Sequence, residues 1–238
     1  AEHRRRGEWL FTIPDAAGRT VLTGTCKNSL SYTALPLKNI VVSAGFTGGT
    51  NTYKGYTLSG FTPVTPKVLS VNYYDNYSFM GANGIPAITD SNFKPEALSG
   101  YGTCDTSHTK GLLTGTLTAQ LKNTSTYQHT VMYYDRRGRL VQAKSNNHLA
   151  GGVNKEYTAY NFTGQPLKRK SIHAATGKST RTEEYTYSYD HAGRLLETRH
   201  QLNSGTERLL VKNEYDEVGR LKNKVNHSAD HASKLHYD

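Results

Sequence analysis

The sequence predicts an all-β fold in which repeated β-hairpins pair edge to edge into one continuous, curved antiparallel sheet. Three observations carry this. The pattern Tyr-Asp-x-x-Gly-Arg-Leu stands complete at 134–140, 189–195 and 215–221. The residues flanking each copy alternate with a period of two. No stretch keeps a long helical period.

Along the chain, residues 1–112 form a β-rich region with degenerate copies. "IPDAAGRTVLTGTC" (13–26) keeps the turn residues and Gly18-Arg19, with Pro14 where a tyrosine would stand. "VNYYDNYSF" (71–79) keeps Tyr74-Asp75 and loses the glycine. Between them, Gly and Pro interrupt short strands. Residues 80–112 hold glycines and prolines with little periodicity and read as a long connection or short insertion.

Residues 113–238 are the repeat sheet, continuous with the first region or a second domain beside it. Hairpin turns are expected near 135–138, 161–164, 190–193 and 216–219. Asp190-His191-Ala192-Gly193 shows the logic. A type I turn favours Asp first and Gly fourth, and the three-residue hairpin loop needs a left-handed residue that glycine supplies. The same roles fall to Tyr134, Asp135, Gly138 and Arg139, to Tyr189, Asp190, Gly193 and Arg194, and to Tyr215, Asp216, Gly219 and Arg220. The copy at 159–173 is weaker, with Asn161 for Asp and Gln165-Pro166 where Arg would stand.

Before the turn, Tyr185, Tyr187 and Tyr189 share one strand face and Thr186 and Ser188 the other. Tyr134, Tyr189 and Tyr215 are expected side by side as a ladder of amphipathic rings. A single hairpin is marginal, so the repeat is a building rule for a sheet.

These residues resemble the Rhs/YD-repeat family, whose signature is close to Y-D-x-x-G-R-L. The resemblance is clear over residues 130–238, and the N-terminal half is similar in style to repeat proteins of gut Bacteroidetes. Related proteins are large exported bacterial toxins, components of insecticidal toxin complexes and animal teneurins. Their repeats form a β-sheet wound into a hollow shell that can enclose a C-terminal toxin domain. The resemblance implies an open portion of such a shell, exported or on the bacterial outer surface. Its implied partners are the rest of its own longer chain and an enclosed C-terminal domain. The family's core-associated self-cleaving segment has no match here. Both ends of the chain read as cut.

Composition fits partly wet sheets. Hydrophobic residues make up 35%, with 17 Tyr and 22 Gly, below the roughly 45–50% apolar share of ordinary domains. The formal net charge is +10, spread evenly: 11 basic and 7 acidic residues (+4) precede residue 131, and 18 and 12 (+6) follow. Dispersed charge makes no nucleic-acid footprint, so no nucleic-acid partner is expected. Cys26 and Cys104 could be a disulfide or two small buried residues.

Catalytic patterns are missing. "ATGKST" (175–180) lacks the early glycine of a phosphate-binding loop, with Ile172 in its place. His227, His231 and His236 have no accompanying acid of a metalloprotease pattern. Asp135, Asp190 and Asp216 read as turn formers rather than glycosidase carboxylates. The expectation is therefore a non-enzymatic structural module without cofactor or metal. The alternative is a carbohydrate- or cell-surface-binding module using Tyr185 and Tyr187. An exposed sheet edge adds self-association as an expectation.

Overall fold

The computed structural model describes residues 2–4, 8–27, 41–227 and 232–234. The described residues contain strands and turns and no helix. Two compact units divide the chain. The first comprises 1–95 and 105–133, the second 96–104 and 134–238. The strands that flank residues 75–112 pair with each other.

The first unit holds β1 (Glu2–Arg4), β2 (Glu8–Pro14), β3 (Thr20–Cys26), β4 (Ser43–Phe46), β5 (Tyr56–Ser59), β6 (Lys67–Tyr74), β7 (Leu113–Ala119) and β8 (Tyr127–Tyr134). Its main sheet runs in the order β1-β2-β3-β6-β7-β8, with β4 and β5 as a separate pair. Alternation explains the buried face. In β8, His129, Val131 and Tyr133 are buried and their neighbours are not. Leu22, Val71, Leu117 and Val131 are fully enclosed.

The connection from 75 to 112 has no strand and does more than join. Phe79 stacks on Tyr73 at 4.4 Å between centroids. Tyr77 stacks on Tyr133 at 4.9 Å, and Phe93 lies 4.8 Å from His129. Buried tyrosine hydroxyls need partners, and Tyr133 Oη donates to the Phe93 carbonyl at 2.7 Å. Residues 77–93 of this segment therefore supply the second layer of the first unit's core. The segment also grows out of a repeat turn. The Asp75 amide donates to the Leu112 carbonyl at 3.0 Å, and Tyr74 pairs with Leu113. In a complete copy, that amide bond and that strand pair close a five-residue loop.

The second unit holds β9 (Leu140–Asn146), β10 (Val153–Tyr160), β11 (Pro166–Ala174), β12 (Arg181–Tyr189), β13 (Leu195–Leu202), β14 (Arg208–Tyr215), β15 (Leu221–Asn226) and β16 (Ala232–Lys234). They pair antiparallel in chain order, and the sheet stays open. No described residue after Tyr157 is buried. Most of this sheet is therefore a single layer wet on both faces, held by backbone ladders and cross-strand side-chain pairs. Lys170 and Glu184, opposite each other on β11 and β12, meet at 2.7 Å.

Candidate functional site

Each complete copy builds its turn with the same bonds. In the 189–195 copy the Gly193 amide donates to the Asp190 carbonyl, and the Asp190 amide donates to the Arg194 carbonyl, both at 3.0 Å. Asp190 Oδ1 accepts the Ala192 amide at 2.9 Å and the Arg194 amide at 2.8 Å. Its Oδ2 accepts Arg194 Nε at 2.6 Å. Asp135 with Arg139 and Asp216 with Arg220 repeat the set, as do Asp15 and Arg19. The strand register slips at the residue before Asp190 and before Asp216, between Ser188 and Tyr189 and between Glu214 and Tyr215. Such a slip is a bulge, and its left-handed residue is the glycine, at φ 79° for Gly193 and 86° for Gly219. The amide bond from Arg194, then the Arg194 side chain, holds the Asp190 carboxyl below its ordinary range.

The arginine of one copy also reaches the next. Arg139 lies 4.9 Å from the ring centroid of Tyr160, Arg194 lies 4.7 Å from that of Tyr215, and Arg19 lies 4.4 Å from that of Tyr74. Tyr160 Oη donates back to the Leu140 carbonyl at 3.0 Å, and Tyr215 Oη to the Leu195 carbonyl at 3.0 Å. Arg19 further grips Asp75 through two bonds, at 2.9 and 2.7 Å.

The expected ladder of rings is thereby corrected. Tyr189 and Tyr215 lie on β12 and β14, separated by β13. Strands two apart stand roughly 9–10 Å from each other, too far for ring contact. A guanidinium over the Tyr215 ring takes the place of the expected ring neighbour. Of the expected ladder, Tyr189 and Tyr215 make no ring-to-ring contact among the described residues.

The weak copy keeps the turn and changes the link. Asn161 Oδ1 accepts the Gln165 amide at 2.8 Å, and Gly164 has φ 91°. Gln165 Nε2 donates to the Gly193 carbonyl of the next turn at 2.5 Å. Tyr189 Oη donates to the Pro166 carbonyl at 2.9 Å.

A second cluster in the second unit was missed by sequence reasoning. Residues 96–104 lie against β9 and β10. The Glu96 amide donates to Gln142 Oε1 at 3.2 Å, and Gln142 Nε2 donates to the Glu96 carbonyl at 2.5 Å. The Glu96 carboxylate meets Lys144 at 3.4 Å, Lys155 at 3.3 Å and the Tyr157 hydroxyl at 2.5 Å. The Lys144 side chain is 0% exposed. Burial raises the Glu96 carboxyl, but the Tyr157 hydroxyl and the two ammonium groups outweigh it and hold it low. Burial is also the main cause that lowers the Lys144 ammonium, against the pull of Glu96. Nothing in "LVQAKSN" announces a buried lysine, because alternation alone reads Lys as a solvated residue.

Cys26 and Cys104 are free thiols, and burial pushes Cys104 up to about 11. An unreactive thiol is the consequence. Tyr185 packs on His200 at 4.7 Å, and burial raises the Tyr187 hydroxyl. "ATGKST" is a tight turn closed by the Lys178 amide on the Ala175 carbonyl at 3.1 Å. His227 faces the Leu209 carbonyl, while His231 and His236 lie outside the described residues. Among the described residues no three His, Cys, Asp or Glu side chains gather as a metal site. No helix among them is long and apolar enough to cross a membrane.

No protein-family model matches the sequence, and no curated protein is similar to it at significance. Among solved structures, the chain is similar to a crystal structure of TcdB2-TccC3-Cdc42, with 15% identity over 91% of this chain and 11% of that one, at a TM-score of 0.25. A structure of TcdB2-TccC3 gives 12% identity, coverage of 92% and 12%, and a TM-score of 0.27. The same complex without its hypervariable C-terminal region gives 14%, 91% and 11%, and 0.26. The chain thus spans about a tenth of those chains. Likeness at this level assigns neither a family nor a function.

Proposed function

We propose that this chain is a non-enzymatic YD-repeat module, one stretch of the β-shell wall of a larger exported or surface bacterial protein. One observation carries the reading: the polar side chains of the repeat are spent on building the sheet. Asp190 closes its own turn, Arg194 bonds Asp190 and covers the ring of the next copy's tyrosine, and that tyrosine returns a hydrogen bond to Leu195. A constellation so committed joins copies in register and leaves no acid, base or nucleophile for a substrate. The partners in this reading are the rest of its own chain and a segment enclosed by it.

Electron microscopy of the full-length gene product tests the proposal. A continuous wall of these hairpins around another segment supports it. A module standing apart from any wall would overturn it. Tyr185 and Tyr187 are the residues for the carbohydrate-contacting alternative, but the Tyr185 ring is already packed on His200, which favours the sheet-building role. Sugar binding that disappears in a folded Tyr185→Ala, Tyr187→Ala protein would reverse that preference.

A further inference from the structure

The link between the 160 and 189 copies departs from the arginine pattern, and a cleft lies beside it. In the pairs Arg19–Tyr74, Arg139–Tyr160 and Arg194–Tyr215, a guanidinium covers the tyrosine ring at 4.4–4.9 Å. Between the 160 and 189 copies, the arginine position is Gln165. Its carboxamide is shorter and uncharged, and it is bound on both sides. Oε1 accepts Asn161 Nδ2 at 2.8 Å and Thr163 Oγ1 at 3.1 Å, and Nε2 donates to the Gly193 carbonyl. The ring of Tyr189 receives no cation among the described residues, and a cleft of about 560 Å³ lies beside it.

The cleft is lined by Asn161, Thr163, Gln165, Tyr189, Asp190 and His191 among others. An aromatic ring with an acceptor of the next turn at its rim is the environment that two of these links offer their own arginines. Arg19 pairs with Asp75 beside Tyr74, and Arg139 donates to the Asn161 carbonyl beside Tyr160 at 2.9 Å. At Tyr189 the equivalent acceptor is Asp190, whose Oδ2 already takes Arg194 Nε and, as a carboxylate oxygen, has lone-pair capacity for a further donor. Guanidinium suits such a place better than ammonium, being planar, weakly hydrated and able to stack while donating at its edge.

We propose that the Tyr189 cleft is a docking site for an arginine side chain brought by another polypeptide segment, which completes a link that this chain leaves without its own arginine. The interaction is weak for a single side chain, so it sets the register of a segment held there by other contacts. The site would be one address at which the module receives a partner, while the rings of Tyr74, Tyr160 and Tyr215 are covered by this chain's own arginines.

The test is a titration of isotope-labelled protein with N-acetylarginine amide, followed by NMR at the Tyr189 ring and the Gly193 amide. N-acetylcitrulline amide serves as the uncharged isostere, and methyl glycosides serve as the sugar control. The expected result is a saturable shift at about millimolar arginine amide, with the citrulline compound roughly three- to tenfold weaker. Gln165→Arg should abolish the response, and the introduced guanidinium protons should move upfield through the ring current of Tyr189. Equal responses to arginine and citrulline would overturn the proposal. So would binding that persists in folded Gln165→Arg, no saturable shift, or a glycoside producing the larger response. The wild-type comparison decides the matter even where the variant fails to fold.

Discussion

The guanidinium of Arg194 lies 4.7 Å from the ring centroid of Tyr215, while its Nε donates to Asp190 at 2.6 Å. One side chain thus closes its own turn and caps the next copy. Removing it should therefore cost more than a surface ion pair. An exposed pair contributes about 0–1 kcal/mol and an exposed cation–π contact about 0.5–1 kcal/mol. Arg194→Ala should lower unfolding free energy by roughly 1–2 kcal/mol. A double-mutant cycle with Tyr215→Leu should return a coupling of about 0.5–1 kcal/mol in urea unfolding. Zero coupling would mean that the two copies are joined by backbone pairing alone.

The turns were legible in the sequence because their chemistry is local. Asp190, Ala192, Gly193 and Arg194 lie within five residues, and every bond that closes the turn lies among them. The link to Tyr215 was not legible, because it depends on which strand lies between two tyrosines. The ladder of rings failed on that point. The connection at 80–112 was visible as a break in the pattern, but the core layer formed by residues 77–93 was not. Phe79, Tyr77 and Phe93 are scattered among glycines and prolines with no period, and only the sheet beneath them makes them a layer. The Glu96 cluster was least visible, since Lys144 is buried at a position where sequence reading expects a solvated cation.

Glycine is required in two different ways. Gly193 needs its left-handed backbone, with φ 79°. A valine there meets the usual penalty of that region, about 1–2 kcal/mol or more for a β-branched side chain. Gly115 needs space, because an added Cβ would overlap the ring of Phe79. Gly193→Asn should be nearly tolerated, since asparagine accepts the left-handed region, whereas Gly115→Ala should lose roughly 1–3 kcal/mol through overpacking. Thermal unfolding of the three variants checks the distinction. Equal losses for Gly193→Asn and Gly193→Val would show that φ is not what the turn demands.

Glu96 holds a fully buried ammonium, and the two partners should respond unequally to mutation. Glu96→Gln removes the carboxylate that faces the enclosed Lys144 ammonium, and breaking a buried pair in this way typically costs about 3–5 kcal/mol. Lys144→Met leaves Glu96 with Lys155 and the Tyr157 hydroxyl, so its loss should be small, within about 1 kcal/mol. Adding Lys144→Met to Glu96→Gln should recover a large part of the first loss. Chemical denaturation of the three proteins reads the outcome, and a double variant no better than Glu96→Gln would place the cost in the lost anchoring of residues 96–104.

Acid should unfold the protein in two stages, and the first belongs to His129. Burial chiefly lowers its imidazole to about 4, against an ordinary value near 6.5. Between those values the unfolded chain binds a proton that the folded chain refuses, so stability falls as pH drops from about 6.5 to about 4. The carboxyls act below that window. Asp75, Asp190, Asp216 and Glu96 are all held low in the folded state, so their contribution is present above the ordinary carboxylate range and is lost as pH falls through their folded values. His129→Phe, at its contact with Phe93, should flatten the first slope and leave the second. Urea midpoints measured from pH 7 to pH 3 separate the two. An unchanged slope above pH 4 in that variant would show that His129 stays accessible to protons in the folded protein.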